Sequence, residues 1–294
     1  MNQETTPQTI QKEIELIRQL AGLDDTVTVE FNDAGWTSRV YLINDGEIVF
    51  KFPRREEVKK EYVWEVLAYE LLSALNLSVR FPELCWRDPD FEYLGYKGVR
   101  GSNFDEIITN LPTPQKEVVG RSLGDFLRQF HQLDLVGANV ITLEDEVAEA
   151  QEKFLMGANA ITQKFTASEF ENIKSFVCEK YPSQMLSFSF DKVLCHGDLG
   201  FWNIIYQGKD QVGVIDFGDV GYYDRSIDFA GMFDEVTLES ALQTYGKTSD
   251  ELLKKVELRM LLMPIVDLPF FLGKDDKLGI EKTISRIRAN LGRY

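Results

Sequence analysis

The stretch VLCHGDLGFWNIIYQGKDQVGVIDFGD (193–219) decides the fold. Its apolar pieces, Val193-Leu194 and residues 212–215, read as strands that hold two polar loops side by side. The whole runs strand, loop, short strand, turn, short strand, loop. The first loop contains His196-Gly197-Asp198-Leu199, with Asn203 five residues after Asp198. The second contains Asp216, thirteen residues after Asn203, inside Ile215-Asp216-Phe217-Gly218-Asp219. Phosphoryl transfer asks for such a set. One carboxylate orients the attacking hydroxyl and accepts its proton, while an amide oxygen and a second carboxylate hold divalent metal between the phosphates. Mg²⁺ prefers hard oxygen ligands and keeps several waters, so two protein ligands suffice.

Outward from this stretch the chain divides in two. Residues 8–20 read as a helix, with Ile10, Ile14, Ile17 and Leu20 on one stripe. Alternation then predicts strands at 26–31, 37–43 and 47–52, with Asn44-Asp45-Gly46 as a hairpin turn and Pro53 as the stop. Residues 57–75 form a helix with Val58, Tyr62, Glu65, Val66 and Tyr69 near one face. Two strand-like pieces follow between Phe81 and Tyr96, around an Asp88-Pro89-Asp90 turn. After 98–101 the periodicity is helical, at 117–133, about 142–165, 169–181, 250–263 and 280–291. The expected fold is α+β with two lobes. A sheet-and-helix N-lobe spans 1–96, a hinge 97–101, and a mostly helical C-lobe 102–294.

Composition narrows the function. The 294 residues carry 32 Lys plus Arg against 48 Asp plus Glu, a formal net charge of −16. Such a surface repels nucleic-acid phosphates and anionic lipid and favours a cationic small-molecule partner. No 18-residue apolar stretch occurs, and the N-terminal residues lack the pattern of a signal peptide. Cys85, Cys178 and Cys195 lie far apart, with neither disulfide nor metal spacing, which suits a reducing cytosol. A cytoplasmic location is expected, and no obligate protein partner is inferred. Only His131 and His196 are present, so a multi-histidine zinc site is excluded.

The HxDxxxxN pattern followed by IDFGD resembles the aminoglycoside phosphotransferase family, which has a protein-kinase-like fold and includes macrolide and choline kinases. FKFP (50–53) and GVIDFGD (213–219) look particularly like the 2''-aminoglycoside phosphotransferases. The resemblance implies that Asp198 is catalytic and that Asn203 and Asp216 bind Mg²⁺. It implies that Lys51, on the third strand, pairs the phosphates of ATP or GTP, backed by Glu65, with Glu61 as rival. The purine edge would meet backbone between Tyr96 and Val99. The phosphate loop would be residues 32–38, ending at Ser38, and it lacks the G-x-G-x-x-G signature. Departures are Gly200-Phe201-Trp202 in the catalytic loop and Asp224-Arg225 where the family commonly has Asp-Pro. Asp228 is expected to brace the catalytic loop, and Arg225 to pair with it or face solvent. The activity implied is transfer of a nucleotide γ-phosphate to a small-molecule hydroxyl, foremost of an aminoglycoside. A macrolide, a choline-like amino alcohol and a sugar are the alternative acceptors, and a nucleotide-binding pseudokinase is the alternative function.

Other residues carry two readings. His196 is read as structural beneath the loop, His131 as a core or capping histidine, and Cys195 as a small hydrophobe. Trp36 and Trp202 sit in or beside the site loops. Asp234, Glu235 and Glu239 either open the next helix, where carboxylates are favoured, or wall a cationic acceptor together with Trp202. The apolar stretch 261–272 offers an apolar wall instead.

Overall fold

Alternation in the first hundred residues builds a meander. The computed structural model describes residues 5–33, 35, 37–208 and 211–294. Helix α1 (Pro7–Ala21) precedes β1 (Val29–Asn32), β2 (Ser38–Ile43) and β3 (Ile48–Pro53). Helix α2 (Val58–Ser73) leads to β4 (Glu83–Arg87) and β5 (Leu94–Lys97). These strands form an antiparallel sheet in the order β1-β2-β3-β5-β4. The β2–β3 turn takes left-handed backbone at Asn44, Asp45 and Gly46, which these residue types tolerate. Successive strand side chains point to opposite faces. Phe50 and Phe52 therefore pack beneath α1 with Ile17, while Lys51 between them faces α2. Pro53, expected to end the third strand, is its last residue.

The sheet ends at Lys97, and the chain crosses to the large lobe, where β6 (Ser102–Asn103) pairs with β8 (Ile204–Tyr206). The order continues with α3 (Phe104–Ile107), α4 (Thr113–Phe130), α5 (Leu143–Thr162), α6 (Ala167–Ser175), α7 (Tyr181–Met185) and β7 (Lys192–Cys195). After β8 come β9 (Val212–Val214), β10 (Gly221–Asp224), α8 (Ile227–Ala230), α9 (Glu235–Tyr245), α10 (Asp250–Gly273) and α11 (Lys277–Ala289). The two-lobe α+β expectation holds. The lobes also touch away from the crossover. Arg80, between α2 and β4, bridges to Gly213 of β9, donating to Val212 O and accepting from Val214 N, both at 2.8 Å.

One apolar core joins α2 to α4, α9 and the two loops of the 193–219 stretch, and Phe217 packs against Tyr69, Phe126 and Phe130. A second core lies between α5, α6, α7, α10 and α11. Helix α4 begins four residues before its expected start at 117, and two other helices depart from expectation at prolines. The helix read at 169–181 contains a π-turn at Phe176–Lys180, just before Pro182. Proline cannot donate to the carbonyl of Cys178, and that carbonyl accepts from Gln151 instead. The helix expected to stop near 263 continues through Pro264 and Pro269 to Gly273. Burial of Leu258, Leu261, Leu262, Ile265 and Leu268 outweighs the two lost hydrogen bonds.

Candidate active site

Strands β7 and β9 deliver the two loops to the cleft between the lobes. Asp198 follows β7. Its Oδ2 accepts from Asn203 Nδ2 at 2.9 Å, and both of its carboxylate oxygens lie 3.2–3.3 Å from Trp202 Nε1. Burial pushes the Asp198 carboxyl up to about 7, and the nearby Asp219 and Asp216 charges add to this. The Trp202 and Asn203 donors pull it back.

The backbone of this loop is held from beneath. Asp228, fully buried, accepts from His196 N (2.9 Å) and Gly197 N (3.0 Å), as expected of a brace. It also meets His131 Nε2 at 3.0 Å, and His131 Nδ1 meets Tyr245 OH. Burial opposes charge on Asp228, but these partners hold it below the ordinary carboxylate range. His196 is wholly buried. Its Nδ1 accepts from Asp198 N at 3.3 Å and its Nε2 lies 3.0 Å from Ile215 O. Both ring nitrogens are engaged by backbone. Cys195 is buried beside them, its thiol pushed up by burial. Arg225 neither pairs with Asp228 nor stands free: it binds Asp191 and Tyr245 OH.

Asp216 opens the second loop with left-handed backbone (φ 68°, ψ 70°), a strained conformation that recurs at functional sites. Its half-exposed carboxylate takes Lys51 Nζ at 2.8 Å. Lys51 also bonds Glu65 at 3.1 and 3.3 Å. Burial raises Glu65, and the Lys51 charge opposes that rise. Burial opposes charge on Asp216 too, but Lys51 more than offsets it. The rival Glu61 makes no such bond. It faces Asp219, and burial with that neighbouring charge pushes it up to about 7.

Other expected residues lie elsewhere. The Ser38 hydroxyl is buried on Tyr62 OH at 2.7 Å, and Lys51 Nζ stands over the Tyr62 ring. Ala34 and Trp36 of the expected phosphate loop lie outside the described residues. The Tyr96 ring is buried against Tyr69, and Val99 packs on the open side of Gly213. These two reach the cleft with backbone at most. Asp234 caps α9, accepting from Thr237 N and Oγ1, and pairs with Lys116. Glu235 and Glu239 are exposed on the same helix. None of the three lines the cavity at Asp198, because α9 packs on α4, away from it.

That cavity, about 320 Å³, is walled by α5 and α10. Its carboxylates are Glu146, Glu149, Asp198, Asp219 and Asp267, against Lys153 and Arg259. Sequence reading missed Glu146, Glu149 and Lys153. Their signal was spacing at i, i+3 and i+7 on one helix face. Asp267 was passed over inside the apolar run 261–272, whose Leu262, Met263 and Val266 do line the cavity. Glu146 Oε2 takes Arg259 Nε and Nη2 at 3.0 and 2.6 Å, while its buried Oε1 has no partner among the described residues. Glu149 pairs with Lys153 at 2.7 Å. Asp267 is reached by solvent through the cavity but crowded by protein elsewhere, and burial pushes it up to about 6.

A model of the phosphotransferase enzyme family matches residues 28–253, most of the chain, with Lys51, Glu65, Asp198, Asn203 and Asp216 inside the match and the α10 wall of the cavity beyond it. The chain belongs to that family. Among curated relatives, an aminoglycoside 3'-phosphotransferase of Escherichia coli is 27% identical over 189 residues. That match covers 60% of this chain and 66% of the relative, a little under two thirds of its length. The GDP and kanamycin complex of APH(2'')-IIia superposes with a TM-score of 0.77 at 20% identity, covering 96% of this chain and 99% of that chain. Macrolide 2'-phosphotransferase MphH from Brachybacterium faecium gives 0.62 at 19% identity, covering 94% and 98%. At these identities the likeness is one of fold. Among the described residues, no helix is long and apolar enough to cross a membrane.

Proposed function

We propose that this chain transfers the γ-phosphate of ATP or GTP to a hydroxyl of a cationic small molecule, foremost an aminoglycoside. One observation carries this: Lys51 bridges Glu65 and Asp216 across the lobes while Asn203 holds Asp198 in the adjoining loop. In this reading Asp198 accepts the proton of the acceptor hydroxyl. The acceptor oxygen forms a bond to the γ-phosphorus, the bond to the β-γ bridging oxygen breaks, and the nucleoside diphosphate leaves. Lys51, steadied by Glu65, holds the outgoing phosphates. The donors fit Mg²⁺: Asp216 offers a half-exposed carboxylate, and Asn203, whose Nδ2 is engaged by Asp198, offers its amide oxygen. When bound there, Mg²⁺ supplies charge that offsets what builds on the leaving diphosphate.

The cavity beside Asp198 supports a cationic acceptor, since its carboxylates outnumber its cations. Relatives named for aminoglycosides, one of them with kanamycin bound, agree with it. The apolar wall of Leu262, Met263 and Val266 favours a macrolide as second reading, and a macrolide phosphotransferase shares the fold.

The test is nucleotide consumption with Mg²⁺, using ATP and GTP separately, across aminoglycosides, macrolides, choline and sugars. Asp198→Asn is expected to lower turnover on the order of 10²-fold or more, the scale of a lost general base, with nucleotide affinity unchanged. Wild-type protein that binds Mg-nucleotide yet phosphorylates nothing would point to the pseudokinase.

A further inference from the structure

Trp202 stands in the middle of the catalytic loop, immediately before Asn203. Its indole N–H is shared between the two oxygens of Asp198, at 3.2 and 3.3 Å. Three features keep the indole there. The Trp202 carbonyl accepts from Asn103 Nδ2 at 2.6 Å, which ties the loop to β6. Phe201 and Asn203 on either side are buried. The indole lies over Gly200, where a Cβ would come within 2.2 Å of the ring. The backbone of Gly200 (φ −104°, ψ 167°) suits any residue, so the need for glycine there is this contact.

We propose that Trp202 is a positioning residue for phosphoryl transfer: its indole N–H holds the Asp198 carboxylate in the orientation that receives the acceptor hydroxyl. This rests on the role given to Asp198 above. An ionised carboxylate has about four lone-pair sites. The shared indole N–H and Asn203 Nδ2 occupy one side of Asp198 and leave Oδ1 able to accept from the acceptor. Without the indole, Asn203 tethers the carboxylate at Oδ2 only, and rotation about Cβ–Cγ is freed. Trp202 also lines the cavity, but a ring that only walled the acceptor would need no N–H. Trp202→Phe keeps the aromatic wall and removes the donor, which separates the two roles.

The experiment has a spectroscopic and a kinetic arm. In a ¹H–¹⁵N spectrum the Trp202 indole resonance is identified by its loss from Trp202→Phe. It should move on Asp198→Ala while the other indole signals stay. Kinetically, Trp202→Phe should lower kcat on the order of tenfold, about the effect of one lost hydrogen bond to a charged group. The KM values for nucleotide and acceptor should stay within about twofold. The double variant Trp202→Phe/Asp198→Ala should be no slower than Asp198→Ala, because the indole acts only through that carboxylate. Gly200→Ala, which displaces the ring, should reproduce the kcat loss of Trp202→Phe. An indole resonance indifferent to Asp198→Ala overturns the proposal. So does a Trp202→Phe enzyme with wild-type kcat, or a double variant whose losses multiply. Wild-type protein with no acceptor turnover refutes the activity and this role together. An active wild type indifferent to Trp202→Phe refutes this role alone.

Discussion

Asp267 is the residue through which pH should reach acceptor recognition. Its carboxyl sits up at about 6 because burial in the cavity wall disfavours its charge. Above that pH it is ionised and attracts an ammonium group; below it the attraction is lost. The KM for a polycationic acceptor should therefore rise as pH falls through about 6, and Asp267→Asn should show the raised KM at every pH. Steady-state kinetics from pH 5 to pH 8 check this, and a parallel pH dependence in Asp267→Asn would assign the titration elsewhere. A neutral acceptor should show no such change. Legibility in the sequence divides along the same line. Asp198, Asn203 and Asp216 are readable because one short stretch holds all three, and Lys51 with Glu65 because a strand and the next helix present them at fixed spacing. Glu146 and Asp267 are not readable as partners in one cavity, because only the packing of α5 on α10 brings together residues so far apart in the chain. The bond of Ser38 to Tyr62 is not readable either, because a hydroxyl in a loop-to-strand position gives no sign of which side it faces.

At the scale of elements, the catalytic loop is a backbone segment whose donors have few local partners. Asp228 at the start of α8 supplies them, joining α8 to the loop and, through His131, to the end of α4. Asp228→Ala strands the buried His196 N–H, the partly buried Gly197 N–H and His131. At about 1–3 kcal/mol for each unsatisfied group, unfolding in denaturant should show a loss of several kcal/mol. Activity should fall further than stability alone explains, because the loop carries Asp198. An Asp228→Ala protein as stable as wild type would show that water replaces the carboxylate. The strands and most helices were legible because their periods of two and 3.6 persist through each run. The passage of α10 through two prolines was not, since the apolar contacts that hold it come from α5, α7 and α11. The role of Asp234 as an α9 cap was one of the two readings its sequence allows, and its packing chose it.

Across the whole molecule the net charge of −16 repels itself, and buried ion pairs in the large lobe hold against that repulsion. Asp224, fully buried, takes Lys255 at 2.5 Å and bonds Ser226 and Asp191 N. Burial opposes its charge, yet Lys255, Ser226 and Arg259 keep it below the ordinary carboxylate range. Asp228 is depressed likewise. A depressed carboxylate stabilises the fold above its unfolded value of about 3.9, and that stability drains away as pH falls through the lower folded value. Acid unfolding should therefore begin below about pH 4. Lys255→Met takes the nearest cation from the buried Asp224 and leaves it Arg259 at 3.9 Å, which costs up to about 3–5 kcal/mol. Its acid transition should shift upward, as circular dichroism against pH would report; an unshifted midpoint would remove Asp224 from the acid response. The bridge from Arg80 to Gly213 matters on this scale as well. The main chain leaves the five-stranded sheet at Lys97 and joins β8 through β6 at Ser102, and Arg80 makes a second attachment, on the strand that leads to Asp216. A door hung on two hinges swings in one plane, whereas a sign hung from one nail turns every way. Fastened twice, the small lobe has its height above the second loop set by two separate attachments, and the reach from Lys51 to Asp216 is set with it.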